Sequence, residues 1–136
     1  MNLPPRLATL VVKNGVALGL LGEADRGLVL ALAASAFGAG HDHREADVNR
    51  ILSAWLDGTG AMLRTDHVEL RRWLVDAGFI ARDGFGRAYV RGPAEVAHAE
   101  ALRGAGATAE FDAVVAALRV AGAAQRETRR QAYAES

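Results

Sequence analysis

The chain has 136 residues, 51% hydrophobic and 24% charged, with Lys plus Arg and Asp plus Glu equal at 16 each. That is long enough for one domain with a proper core and too apolar for a disordered chain. The absence of cysteine excludes disulfides, thiolate catalysis and zinc-ribbon chemistry, and a net charge of zero argues against strong non-specific nucleic-acid binding while permitting a local basic face.

Residues 1–22 form an N-terminal segment. Pro4-Pro5, then RLATLVVK and Asn14-Gly15, predict a short helix. The paired valines and the Asn-Gly step leave a hairpin as the alternative. From Glu23 to about Phe37, Leu28, Val29, Leu32, Ala36 and Phe37 predict a helix buried on most sides, ended by GAG at 38–40. The weakly polar run at 27–40 is shorter than the roughly 20 residues of a membrane span and lies too far in for a signal peptide. A soluble cytoplasmic protein without a membrane partner is expected.

Val48, Ile51, Leu52 and Trp55 then form one helical stripe, broken by DGTG at 57–60. Leu70, Trp73, Leu74 and Ala77 repeat the spacing up to Gly78. FIARDGFGRAYVR, from about Phe79 to Arg91, alternates around Asp83-Gly84 and predicts a β-hairpin. Gly92-Pro93 marks a boundary. Beyond it a helix from Pro93 to Arg103 and a last helix from about Ala109 towards Tyr133 are predicted. The last has Phe111, Val114, Val115 and Leu118 as its apolar face, with Gly122 weakening its middle and Arg126, Arg129 and Arg130 sharing one side.

Each of the two amphipathic helices at 48–55 and 70–77 is preceded by Asp-His-x-Glu, DHRE at 42–45 and DHVE at 66–69. Asp at an N-cap accepts from free backbone N–H groups, and Glu three residues on can reach back to the cap's N–H. Asp42, Glu45, Asp66 and Glu69 are therefore read as helix caps, with His43 and His67 on first turns. A metal site of His41, Asp42, His43 and His67 is the weaker reading, because no second short-spaced ligand pair completes it. Glu45 and Glu69 have no companion nucleophile, and DGFGR lacks the lysine of a phosphate loop. No catalysis, metal or cofactor is expected.

The resulting order of helix, helix, turn, helix and hairpin is that of a winged helix-turn-helix. A recognition helix over about 66–77 would then carry His67, Arg71 and Arg72, and a wing over 79–91 would carry Arg82, Arg87 and Arg91. Between Arg64 and Arg91 there are six arginines against four acids. This is a small excess, given that each phosphate contact needs a cation. Arg71 and Arg72 could equally pair with Glu69 or Asp76 on a solvated face. Asn49, beside the buried stripe, either bridges helices or lies exposed. Trp55 and Trp73 read as core anchors.

The stretch EADVNRILSAWL followed by DHVELRRWLVDAGFIARDGFGRAYVR resembles the bacterial family called domain of unknown function 2087. Glu45, Val48 and Asn49 carry the resemblance, with Asp66, Leu70, Arg71, Arg72, Leu74, Val75, Asp76, Arg82, Gly84 and Tyr89. It covers about 24–91. The resemblance implies a winged-helix-like domain found alone or attached to DNA-binding regulators, with no activity, ligand or cofactor. GTGAML between Trp55 and Asp66 departs from the pattern and lengthens the link between the two helices.

The expected architecture is mostly α with a small β-hairpin (α+β). A winged helix-turn-helix-like domain over 23–91 is followed by a helical extension over 93–136. The expected function is that of a non-enzymatic, transcription-associated regulator binding double-stranded DNA, dimerising through the C-terminal helix. The alternative is a protein–protein interaction or dimerisation module of the same fold that does not touch DNA.

Overall fold

The computed structural model describes residues 5–37, 43–82, 89–91 and 108–135. The described residues are mostly helical, with one small antiparallel sheet: α1 (Pro5–Leu10), α2 (Glu23–Ala34), α3 (Glu45–Asp57), α4 (His67–Asp76), β1 (Ile80–Arg82), β2 (Tyr89–Arg91) and α5 (Thr108–Glu135). No described helix is long and apolar enough to cross a membrane. The helix expected over 93–103 and the GAG at 38–40 lie outside the described residues.

The N-terminal segment is a helix, and Asn-Gly makes no hairpin. Pro5 occupies the first position of α1, where its missing N–H costs nothing, and Leu7, Leu10 and Val11 point into the core. Gly15, at φ +68°, turns the chain. Val16 then joins the 62–64 segment, its N–H donating to the Met62 carbonyl (2.9 Å) while Arg64 N–H donates to the Val16 carbonyl (2.8 Å). A single 3-10 turn at Leu18–Leu20 leads into α2.

α2 is the central helix because its sequence is apolar all round: Gly27 and every residue from Val29 to Ala34 are buried. The regular helix stops at Ala34, short of Phe37, and closes with 3-10-type bonds from Ala36 to Ala33 and Phe37 to Ala34 (3.1 Å each). α3 presents Val48, Leu52 and Trp55 to this core, and α4 presents Leu70 and Leu74. Gly78, at φ +82°, ends the α4 segment in the left-handed conformation that glycine adopts without strain.

The nine residues between α3 and α4 are packed. Thr59 is buried, and Gly60 lies under the Trp55 indole so closely that a Cβ there would sit 2.2 Å from a ring carbon. Only glycine fits. The link lengthened by GTGAML is thus an ordered part of the core, with Met62 and Leu63 buried.

β1 and β2 pair antiparallel in the register Ile80↔Arg91, Ala81↔Val90 and Arg82↔Tyr89. Tyr89 also bridges His43, each residue's N–H donating to the other's carbonyl (2.9 and 2.7 Å). β2 is therefore flanked by β1 and by the residue leading into α3. This bridge explains why the first Asp-His-x-Glu does not supply the N-cap as Asp66 does in the second. There the Asp66 carboxylate accepts from the Glu69 N–H, and no return bond from the Glu69 side chain is present among the described residues. His43 is held extended by both backbone bonds, so α3 cannot begin until Arg44. Arg44 is its N-cap and makes no side-chain cap bond. Glu45 becomes the first helical residue rather than the third, which corrects its expected capping role. Asp42 lies outside the described residues.

α5 runs for 28 residues, about 42 Å at 1.5 Å per residue. Its first half docks on the domain: Val115 is fully buried, and Val114 and Leu118 pack against the same core. Of the stripe expected to serve dimerisation, Val115 is thus buried within the chain and Val114 and Leu118 are half-buried against it, with Phe111's side chain outside the described part. From Val120 onward the helix is exposed apart from Gly122, with Val120 and Tyr133 the large apolar side chains in solvent.

Candidate nucleic-acid interface

The surface singled out by sequence lies where α4 meets the two strands. Asp66 caps α4, its Oδ1 accepting from the Glu69 N–H at 2.8 Å, so the helix begins at His67. With Leu70 and Leu74 inward, the opposite side carries Val68, Glu69, Arg72 and Asp76, all exposed. His67 and Arg71 are half-buried at the edges.

Arg71 is engaged elsewhere. Its Nη1 donates to Asn49 Oδ1 at 2.5 Å and pairs with Glu45 Oε1 at 3.0 Å, leaving its side chain 20% exposed. It ties α4 to α3, and the expectation that it reaches into a groove of DNA is corrected accordingly. The same contacts assign Glu45 and Asn49. Both sit on α3 facing α4, and Asn49 is the bridge between helices that its place beside the stripe allowed.

Arg72 and Arg82 behave differently. Both are exposed, and neither side chain makes a hydrogen bond or ion pair among the described residues. They share a groove of about 260 Å³ between α4 and the sheet, lined also by Val68, Val75, Asp76 and Tyr89 and touched by Arg71. Asp76 is its only carboxylate among the described residues, so the groove keeps a positive balance. Arg91 is placed on β2 by its backbone, and Arg87 lies outside the described residues.

The other flank of α4 has the opposite character. A groove of about 500 Å³ is lined by Asp66, Glu69 and Asp76 with Val68, Trp73 and Arg72. Trp73 is half-buried rather than a full core anchor. The Arg26 guanidinium of α2 stacks on its ring at 4.8 Å, with Arg26 Nη1 held by the Leu21 carbonyl at 3.1 Å.

No group of three or more potential metal ligands exists among the described residues. His43 sits with its ring edge-on to Phe37 at 5.4 Å, and its Nε2 is buried without a hydrogen-bond partner. It belongs to the sheet and core, not to a helix first turn.

Sequence reasoning missed Arg119. Its guanidinium donates to the carbonyls of Val11 (3.0 Å), Gly58 (2.6 Å) and Thr59 (2.7 Å). Burial lowers its pKa, since the charged form is partly stripped of water. The cation closes the C-terminal end of α3, where free carbonyls favour positive charge, and fastens α5 to both α1 and the α3–α4 link. Only its place at the edge of the Val114–Leu118 stripe could have hinted at this.

These elements define an α-rich domain in which three helices are closed by a two-stranded sheet, with a long helix clamped on by one arginine. The model of the DUF2087 family, described as an uncharacterised protein conserved in bacteria, matches residues 22–91, just over half of the chain. The chain belongs to this family. No curated protein and no solved structure matches it. The matched span starts one residue before α2 and ends with β2, so α1 and α5 lie outside it.

Proposed function

We propose that the chain is a non-enzymatic, winged-helix-like module of a transcription-associated protein that binds duplex DNA through the groove between α4 and the sheet. The carrying observation is that Arg72 and Arg82, on two different elements, line one groove with no hydrogen-bond or ion-pair partner for either side chain among the described residues. Arg–phosphate pairing would satisfy both.

The topology supports the winged arrangement. α2, α3 and α4 are followed by two strands, and β2 lies between β1 and the extended His43 that precedes α3. In such an arrangement α4 would approach the major groove and the strands would flank it. Arg72, Arg82 and Arg91 would hold phosphates, with Arg87 and His67 as further contacts, while Arg71 positions α4 from behind.

The test is fluorescence anisotropy of a labelled duplex across a salt series. Affinity should fall steeply with salt, and Arg72→Ala with Arg82→Ala should flatten the slope by about 1 for each phosphate no longer neutralised. Arg71→Ala should lower the melting temperature as well as binding. No anisotropy change at low salt would remove the DNA reading.

A second reading is favoured by the acidic flank. Three carboxylates around Val68 and Trp73 suit an apolar-basic segment of a partner protein better than a phosphate backbone. It predicts a partner held by the wild type and released by Val68→Asp, under conditions where duplex DNA is ignored.

A further inference from the structure

The strongest unassigned concentration of charge lies away from α4, between the end of α1 and the exposed half of α5. Lys13, the only lysine in the chain, meets Arg126 and Arg129 in an open cleft of about 510 Å³, completed by Asn14 and Gln125 over Val12 and Gly122. No carboxylate lines it among the described residues. None of the Lys13, Arg126 and Arg129 side chains makes an ion pair or hydrogen bond among the described residues. Asp25 is within electrostatic reach of Lys13, but its two oxygens already accept from Arg6 Nε (3.1 Å) and Nη2 (2.5 Å). Among the described residues the cleft therefore holds three cationic side chains with no carboxylate in direct contact, in a chain whose net charge is zero.

Its construction is specific. Gly122 brings α5 against Val12, where a Cβ would lie 3.5 Å from the Val12 Cβ and 3.6 Å from Arg126 Nη1. The Arg126 guanidinium is thus folded back along its helix towards Gly122 while remaining exposed. Arg129, one turn on, lines the same cleft.

From this we infer that the α1–α5 cleft binds the sugar–phosphate backbone of a nucleic acid. The chemistry is complementary: cations and neutral amide donors, as backbone contacts require, with no acid to repel phosphate. A protein partner is disfavoured because stable protein interfaces are anchored by buried apolar or aromatic side chains, and only half-buried Val12 offers one here. A lipid surface is disfavoured because the cleft's own lining offers nothing apolar that projects for insertion, the exposed Val120 and Tyr133 of α5 lying outside that lining. A small phosphorylated ligand would need an enclosed pocket, whereas the three cationic side chains are all exposed. The partner class is that proposed for the α4 groove, but the two surfaces share no residue and this inference does not rest on that one.

The experiment is anisotropy titration of the full chain with a labelled duplex and a labelled single strand from low to moderate salt. It compares the wild type, Lys13→Ala/Arg126→Ala/Arg129→Ala, Lys13→Arg/Arg126→Lys/Arg129→Lys and Arg72→Ala/Arg82→Ala. The triple alanine variant should weaken binding to unrelated sequences alike. Its plot of log affinity against log salt should be flatter than the wild type's by about 1 for each cation removed. The charge-keeping triple variant should retain the wild-type slope, and thermal melts should be unchanged because all three side chains are exposed.

A triple alanine variant indistinguishable from wild type overturns the inference. If Arg72→Ala/Arg82→Ala then loses binding, the α4 reading stands alone. The converse pattern supports the cleft and removes the α4 groove. Competition by inorganic phosphate beyond that of chloride at equal ionic strength would assign the cleft to a small anion. Competition by polyglutamate equal to that of unlabelled DNA would assign it to an acidic protein. Either result, or no wild-type binding at low salt, overturns the nucleic-acid assignment.

Discussion

Arg119→Ala removes in one step the donors on which three backbone carbonyls depend. A hydrogen bond from a charged donor contributes about 1.5–3 kcal/mol where it is shielded, and less in solvent. The bonds to Val11 and Thr59 are part-buried and the bond to Gly58 is exposed, so the first two dominate. The expected loss is about 2–4 kcal/mol, a large share of the roughly 5–15 kcal/mol that holds a domain of this size together. Urea unfolding followed by two probes separates the parts. Both tryptophans, Trp55 and Trp73, lie in the family domain and α5 has none, so fluorescence reports the core while far-UV circular dichroism also reports α5. In the variant, part of the helical signal should disappear before the fluorescence transition, where the wild type loses both together. Arg119→Lys should recover only a minor part, because one ammonium lacks the planar fork that spans three acceptors. A variant within about 0.5 kcal/mol of wild type, with coincident transitions, would refute the clamp.

Gly60→Ala should destabilise by about 1–3 kcal/mol or more, since the new methyl occupies the place of the Trp55 ring; the emission of Trp55 should shift with the loss of melting temperature. Asp66→Ala should cost about 1 kcal/mol by thermal unfolding, with Asp66→Asn recovering most of it, whereas alanine at Glu45 should leave helix content at the start of α3 unchanged because it caps nothing. Hydrogen bonds from Arg6 hold the Asp25 carboxyl below its ordinary value. A carboxyl depressed in the folded state adds stability above the unfolded value, near pH 4, and loses it as pH falls through the folded one. Asp25→Asn should therefore lower the melting temperature at neutral pH and converge with wild type in acid; a constant difference down to about pH 2 would contradict the pair's role.

Much of the fold was legible because it rests on local pattern. The stripes Val48–Ile51–Leu52–Trp55 and Leu70–Trp73–Leu74 set the inward faces of α3 and α4, Gly78 stopped the second, and the alternation after it produced the paired strands. The arginine surface was legible only as a set of residue types. Nothing local distinguishes Arg71 from Arg72, and one residue of helical rotation separates a side chain facing Glu45 and Asn49 from one facing solvent.

The repeated Asp-His-x-Glu marks the boundary most clearly. By itself the sequence determined where helices could start, which faces would be apolar, that no thiol was present, and that the weakly polar run at 27–40 was too short for a membrane-spanning helix. Whether each copy caps a helix depended on contacts more than 40 residues away in the chain: Tyr89 holds His43 extended and moves the start of α3, whereas the bridge from Val16 before α4 falls at Leu63, three residues ahead of Asp66, and leaves Asp66 to cap the helix. Tertiary packing also decided that Val115 of the α5 stripe is buried in the chain's own core and that Arg119 closes α3. Capping and amphipathicity act over one or two turns, whereas bridges, clamps and unpaired charges exist only once separate elements have been brought together.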